Sequence, residues 1–156
     1  IPKFLGALKR YVVLEQTGEL TKDDEAYLTN VEKFFDIAVT RHAYITGGVS
    51  VMEHFRKDNN QDGTRTQTNC ESCCAHNMLK MAKELYKVTG DKKYADYYET
   101  TLRNSIMGAV KSESGAAAYF IPMKIRPKTC SGAVPEVAWR TLRNWGIVFI
   151  FILMIP

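Results

Sequence analysis

The segment Asn69-Cys70-Glu71-Ser72-Cys73-Cys74-Ala75-His76-Asn77-Met78-Leu79-Lys80 holds three of the chain's four cysteines, and a carboxylate lies between the first two. Thiolates and carboxylates are ligands for zinc, and a thiolate near a metal is also a nucleophile. If a helix starts near residue 73, Glu71 and Cys73 project from its N-terminus. Free backbone N–H groups and the helix dipole favour anions there, which lowers a thiol pKa and readies it for metal. Two ligands do not close a zinc site, which takes four positions, or three plus a substrate or water. The others must come from elsewhere in the fold. Small buried cysteines at a helix start would give the same pattern, and Cys70-x-x-Cys73 has no second such pair.

A second candidate is Glu53, within Tyr44-Ile45-Thr46-Gly47-Gly48-Val49-Ser50-Val51-Met52-Glu53-His54-Phe55. A carboxylate in a glycine-containing loop beside an aromatic ring can be partly desolvated, which suits a general acid. A solvated loop carboxylate fits the same residues. His42, His54 and His76 read as hydrogen-bonding or surface histidines rather than ligands.

These groups need elements to place them. Phe4, Leu8, Tyr11 and Val12 recur at helical spacing, and Gly18 in Thr17-Gly18-Glu19 is suited to a left-handed cap. Tyr27, Val31, Phe34, Phe35 and Ala38 form a second stripe. Met78, Ala82, Leu85 and Val88 form a third, stopped by Thr89-Gly90-Asp91. Tyr94, Tyr98, Leu102, Ile106 and Ala109 form a fourth. Residues 44–70 lack a period and read as a long loop, of the kind that is more often functional than passive. The pattern of helix, Thr-Gly-acid and helix recurs with its Thr-Gly pairs 72 residues apart, which predicts repeated helical hairpins in an α/α array or toroid. A turn at Ser114-Gly115-Ala116 and a short strand near 117–122 are expected next. The run Gly146–Ile155 is too short to span a bilayer and has no polar face; its β-branched and aromatic content marks an aggregation hazard.

Composition bounds the partners. The 156 residues suffice for one domain with a sizeable core. A net charge of +4 with no basic run argues against nucleic acid. Cys70, Cys73 and Cys74 lie too close together for easy mutual pairing, so reduced thiols are expected rather than a disulfide framework. No signal peptide is visible, which inclines the reading towards the cytoplasm. The chain opens directly on helical pattern without an initiator Met, as a piece of something longer would.

Together the ordered motifs resemble the β-L-arabinofuranosidase group of glycoside hydrolases, the family 127/146 type. The matching stretches are Ile1-Pro2-Lys3-Phe4-Leu5-Gly6-Ala7, Tyr44-Ile45-Thr46-Gly47-Gly48 with Glu53-His54-Phe55, and Cys70-Glu71-Ser72-Cys73 running into Asn77-Met78-Leu79-Lys80. Tyr94-Ala95-Asp96-Tyr97-Tyr98-Glu99, Leu102-Arg103-Asn104 and Tyr119-Phe120-Ile121-Pro122 follow in order, so the resemblance covers about residues 1–124. It implies an all-α domain whose helical hairpins form part of an (α/α)6 toroid. It implies a retaining exo-enzyme that removes terminal β-L-arabinofuranose, with a zinc-bound cysteine as nucleophile in place of the usual second carboxylate. The zinc is held by one Glu and three Cys. Residue by residue, Glu53 falls on the acid/base, Glu71 and Cys73 on a zinc-ligand pair, and Glu99 and Tyr119 on sugar contacts. Cys70 and Cys74 match no ligand. In the implied reaction Glu53 protonates the leaving oxygen as a thiolate attacks the anomeric carbon, then deprotonates the water that releases the sugar.

The sequence departs from the family after Tyr119-Phe120-Ile121-Pro122. The family's remaining ligands lie in a run like Trp-Cys-Cys-Thr-Gly-x-Gly-Met-Glu-Asn, whereas here Cys130 stands alone, followed by Ser131-Gly132-Ala133-Val134-Pro135-Glu136-Val137-Ala138-Trp139-Arg140-Thr141. Codons for Ser131–Thr141, read from the third base of Ser131 and so one base out of register, permit the family run in full. The expectation is a frame shift between about Met123 and Cys130, a partial catalytic domain over 1–124, an out-of-frame tail over 125–156, and no activity in the chain as given. Two other readings stay open: a non-enzymatic zinc module using Cys70, Glu71, Cys73 and Cys74, and a helical-repeat fragment that binds a protein through its apolar tail.

Overall fold

The computed structural model describes residues 1–110 and 114–124; the expected tail over 125–156, with Cys130, lies outside the described residues. Four α-helices form two hairpins, α1 (Pro2–Thr17) with α2 (Glu25–Ile37) and α3 (Ser72–Thr89) with α4 (Lys92–Thr101). α1 and α3 also pack on each other, which joins the hairpins.

The two hairpins are built alike. α1 ends on Gly18 at φ 73° and α3 on Gly90 at φ 70°, a left-handed conformation that costs a residue without Cβ little. The Gly18 N–H donates to the Glu15 carbonyl, and the Glu19 N–H donates to the Leu14 carbonyl, so the last turn is closed. The Gly90 N–H donates to the Tyr86 carbonyl. Each second helix then widens into a π-helical turn, Ala38–His42 after α2 and Leu102–Ile106 after α4. The repeat read from the Thr-Gly pairs is therefore a repeat of structure.

The core lies between the hairpins. Leu5, Leu8, Val31, Phe35, Met78, Met81, Ala82, Leu85, Tyr94 and Tyr97 are buried in it. Phe35 meets Tyr94 and Tyr97 edge-on, at ring-centroid distances of 5.0 and 5.1 Å. The fourth stripe does not run to Ala109 as one α-helix. α4 stops at Thr101, and π-helical and 3₁₀ turns carry the chain to Ala109.

The short strand expected near 117–122 is an extended segment without a sheet. One bridge joins Val110 to Ala117. Beyond it the segment runs against residues 66–72, through Ser72 N–H to Tyr119 O at 2.9 Å, Ile121 N–H to Asn69 O at 2.9 Å and Met123 N–H to Thr66 O at 3.1 Å. Its partner is a loop rather than a strand, so no regular ladder forms. This crossing seats Tyr119 at the start of α3. No helix among the described residues is long and apolar enough to cross a membrane.

Candidate active site

The connection over residues 43–71 contains the long loop that the sequence reads over 44–70, and little of it is slack. Gly47, Gly48, Val49, Ser50 and Val51 are buried, and so are Asn69, Cys70 and Glu71. Asn69 ties the loop together. Its Oδ1 accepts from the Thr66 N–H at 2.6 Å, and its Nδ2 donates to Tyr44 Oη at 2.8 Å and to the Thr64 carbonyl at 3.1 Å. A Cβ on Gly48 would lie 2.8 Å from Cys70 Sγ, and one on Gly47 would lie 2.1 Å from Thr101 Oγ1, so side chains are excluded at both. At Gly47, φ is also 80°.

The same loop holds non-glycine residues in the left-handed region: Ser50 at φ 86°, Met52 at 50°, Glu53 at 65° and Cys70 at 52°. Each conformation costs roughly 1–3 kcal/mol and persists only where surrounding contacts impose it. For Ser50 and Glu53 the buried Glu71 supplies those contacts. One carboxylate oxygen, Oε1, accepts the Glu53 backbone N–H at 2.8 Å, and the other, Oε2, accepts the Ser50 hydroxyl. Both oxygens of a fully buried carboxylate are therefore occupied by the loop that carries Glu53.

Glu53 itself is exposed, so hydrogen bonding rather than burial holds it. Its Oε1 accepts from Tyr119 Oη at 3.1 Å, and the same Oη lies 3.1 Å from Cys73 Sγ. A phenol has one proton. If Tyr119 donates to Glu53, the Cys73 thiol donates to Tyr119, and the three groups form a single chain. Burial first, then the neighbouring Cys73 and Glu53, push the Tyr119 hydroxyl above the ordinary tyrosine range. It stays protonated at neutral pH and can donate.

The other cysteines behave differently. Cys70 faces Gly48 and Thr46 in the interior, and burial pushes its thiol to about 12. Burial also pushes Cys74 to about 12, against the pull of its hydrogen bond to Ser50. Glu99 is exposed on α4 and pairs with Arg103 at 2.8 Å; among the described residues no hydrogen bond or ion pair joins it to the Glu53–Tyr119–Cys73 chain. Among His42, His54 and His76, His42 pairs with Asp58 at 3.3 Å, and burial lowers His76.

The donor chemistry of Glu71 and Cys73, a carboxylate and a thiol at one helix start, fits two of four zinc ligands. Among the described residues no group of three or more His, Cys, Asp or Glu side chains gathers closely enough to hold an ion. Sequence reasoning missed Ser50 and Asn69. Ser50 carried no signal, whereas Asn69 was visible as a polar residue directly before the Cys-Glu pair.

The helical hairpins thus present a carboxylate, a phenol and a thiol in one hydrogen-bonded cluster at a helix start. A family model, the β-L-arabinofuranosidase GH127 catalytic domain, matches residues 4–142, and the chain belongs to that family. The match runs past residue 124 into the tail. Among solved structures, the GH127 β-arabinofuranosidase BT3674 is similar at 27% identity and TM-score 0.62, over 77% of this chain and 18% of that one. Ara127N-Se, a GH127 β-L-arabinofuranosidase from Geobacillus stearothermophilus T6, is similar at 21% identity and TM-score 0.61, over 82% of this chain and 20% of that one, a likeness of fold alone. The hairpins are thus part of an α/α toroid, and the chain spans about a fifth of these structures' length. No curated protein matches.

Proposed function

We propose that this chain is a segment of a retaining glycoside hydrolase domain that acts on terminal β-L-arabinofuranosides or a related sugar. The observation that supports it most is the convergence of Glu53, Glu71, Cys73 and Tyr119, from two loops and a helix start, through the hydrogen bonds of Tyr119 and the Glu71 carboxylate. Glu53 acts as acid/base: it is exposed, as a group that must meet a leaving oxygen and then a water has to be. Tyr119 orients the Glu53 carboxylate through its hydrogen bond and presents a hydroxyl to the sugar. Glu99 is the second sugar-contacting residue, with its carboxylate free to leave the exposed Arg103 pair.

Glu71 and Cys73 would hold zinc, with further ligands from outside the described residues. When bound, zinc would keep thiols deprotonated at neutral pH. Glu71 also fixes Ser50 and the Glu53 backbone, so one carboxylate orients both the metal side and the acid side of the site.

In this reading the family's Cys-Cys run is encoded one base out of register near Ser131–Thr141, and the chain as written is inactive. The coding DNA tests the first part: the run must appear in the adjacent frame, and its absence removes the frame shift. Hydrolysis of an aryl β-L-arabinofuranoside tests the second: turnover by the purified chain contradicts it.

A further inference from the structure

Glu71 is a carboxylate at 0% exposure, and among the described residues no Lys, Arg or His forms an ion pair with it. A buried charge is ordinarily paired or bound to a metal. Glu71 has neutral donors instead: the Ser50 hydroxyl on Oε2 and the Glu53 N–H on Oε1. A carboxylate offers about four lone-pair sites, so roughly half remain open to a cation.

Both donors sit on one turn. Val51 and His54 exchange backbone hydrogen bonds at 2.9 and 3.2 Å, which curls the chain between them. The Met52 N–H donates to the Thr68 carbonyl at 3.1 Å, and the Cys70 N–H donates to the Ser50 carbonyl at 3.1 Å. The turn is therefore pinned to the residues just before Glu71, and it grips the Glu71 carboxylate from two places. Ser50 at φ 86° and Glu53 at φ 65° hold strained conformations as they donate. Opening the turn would relieve that strain but leave a buried carboxylate without its donors. Ser50 is itself buried, so its hydroxyl acts on Glu71 rather than on a substrate.

We propose that Ser50 is a positioning residue that couples the metal ligand to the acid/base: the 50–54 turn locks when Glu71 holds a cation, and the locked turn fixes the backbone of Glu53. The proposal rests on the reading of Glu71 as a zinc ligand and Glu53 as acid/base, and adds the link between them. Its basis is linkage. The carboxylate that takes the cation is oriented by the donors of the closed turn, so binding favours the closed form by mass action. The coupling is reciprocal, so a loosened turn binds the cation more weakly.

The test is hydrogen exchange at the Glu53 N–H, read by NMR on the 156-residue chain with and without zinc ions, together with zinc affinity by calorimetry. Ser50→Gly and Glu71→Gln are the variants. Glycine accepts positive φ, so Ser50→Gly removes the hydroxyl while suiting the turn. Zinc at about tenfold its Kd is expected to slow exchange at Glu53 about tenfold in the wild type. Ser50→Gly is expected to bind zinc about tenfold more weakly, although Ser50 is not a ligand. A serine with a merely structural role would alter zinc-free exchange and leave zinc affinity unchanged. Zinc binding that depends on Glu71, with Glu53 exchange unmoved or Ser50→Gly binding as tightly as wild type, overturns the proposal and leaves the zinc reading standing. Zinc binding indifferent to Glu71→Gln overturns both. Should Ser50→Gly fail to fold by circular dichroism, the wild-type exchange measurement decides by itself.

Discussion

The hairpins and the loop between them solve opposite problems. In α1–α2 and α3–α4 every local preference agrees: apolar stripes at helical spacing, glycine where φ must be positive, and aromatic rings edge-on in the core. In residues 43–71 local preference is overruled. Ser50, Met52, Glu53 and Cys70 sit at positive φ; the buried Glu71 holds Ser50 and Glu53, and Asn69 ties the surrounding loop through Tyr44, Thr64 and Thr66. Conformational strain is concentrated in the loop that carries the candidate acid/base, and the regular scaffold absorbs it. The difference can be broken from either side.

The largest effect is expected in the scaffold. Phe35→Ala removes a ring packed on Tyr94 and Tyr97 and should destabilise the fold by about 3–5 kcal/mol, as urea unfolding would measure. An effect below 1 kcal/mol would mean that the hairpins do not carry the stability.

Asn69→Ala should come next. It strands the Thr66 N–H and leaves Tyr44 without its donor inside a buried loop, at a cost of about 2–3 kcal/mol by the same measurement. Asn69→Asp should fall between, because Oδ1 survives and Nδ2 does not.

A finer comparison isolates the strain. Ser50→Ala and Ser50→Gly both delete the hydroxyl that reaches Glu71, but only glycine is at ease at φ 86°. The glycine variant should therefore be the more stable of the two by about 1 kcal/mol. Equal stability would mean that the conformation is not strained.

Thiol titration gives a fourth test. Burial holds Cys70 and Cys74 neutral up to about 12, whereas in the unfolded chain they ionise near about 8.5. In that window the folded chain binds more protons than the unfolded one, so stability falls as pH rises and is fullest below the unfolded value. Mass spectrometry after iodoacetamide treatment at pH 8 should find Cys70 and Cys74 alkylated slowly until the chain unfolds. Rapid alkylation of Cys70 in the folded chain would contradict its burial.

The scaffold was legible in the sequence because its determinants are local. The stripes of Leu8, Val31, Phe35, Met78, Leu85 and Tyr94 end up buried, and the Gly18 and Gly90 caps end the helices they were expected to end. The fourth stripe misled because its period continues through π-helical turns that also keep one face inward. Tyr97 was passed over for Tyr98, though Tyr97 is the buried one, its hydroxyl donating to the Gly47 carbonyl at 2.8 Å. In the site, residue types were legible but not their joining. Positive φ at Ser50 and Glu53 has no mark in the sequence, and Tyr119 reaches Cys73 only because the 119–123 segment pairs with 66–72. Such a contact is set by tertiary structure.

On the proposed reading, Glu71 and Cys73, rather than the whole cysteine cluster, are this chain's share of a metal-dependent site. Zinc titration of the purified chain against its Cys73→Ser, Cys70→Ser and Cys74→Ala variants tests it most directly. The account predicts that Cys73→Ser weakens zinc binding at least about tenfold while Cys70→Ser and Cys74→Ala leave it unchanged. Loss of binding in Cys70→Ser or Cys74→Ala, with Cys73→Ser unaffected, would contradict it.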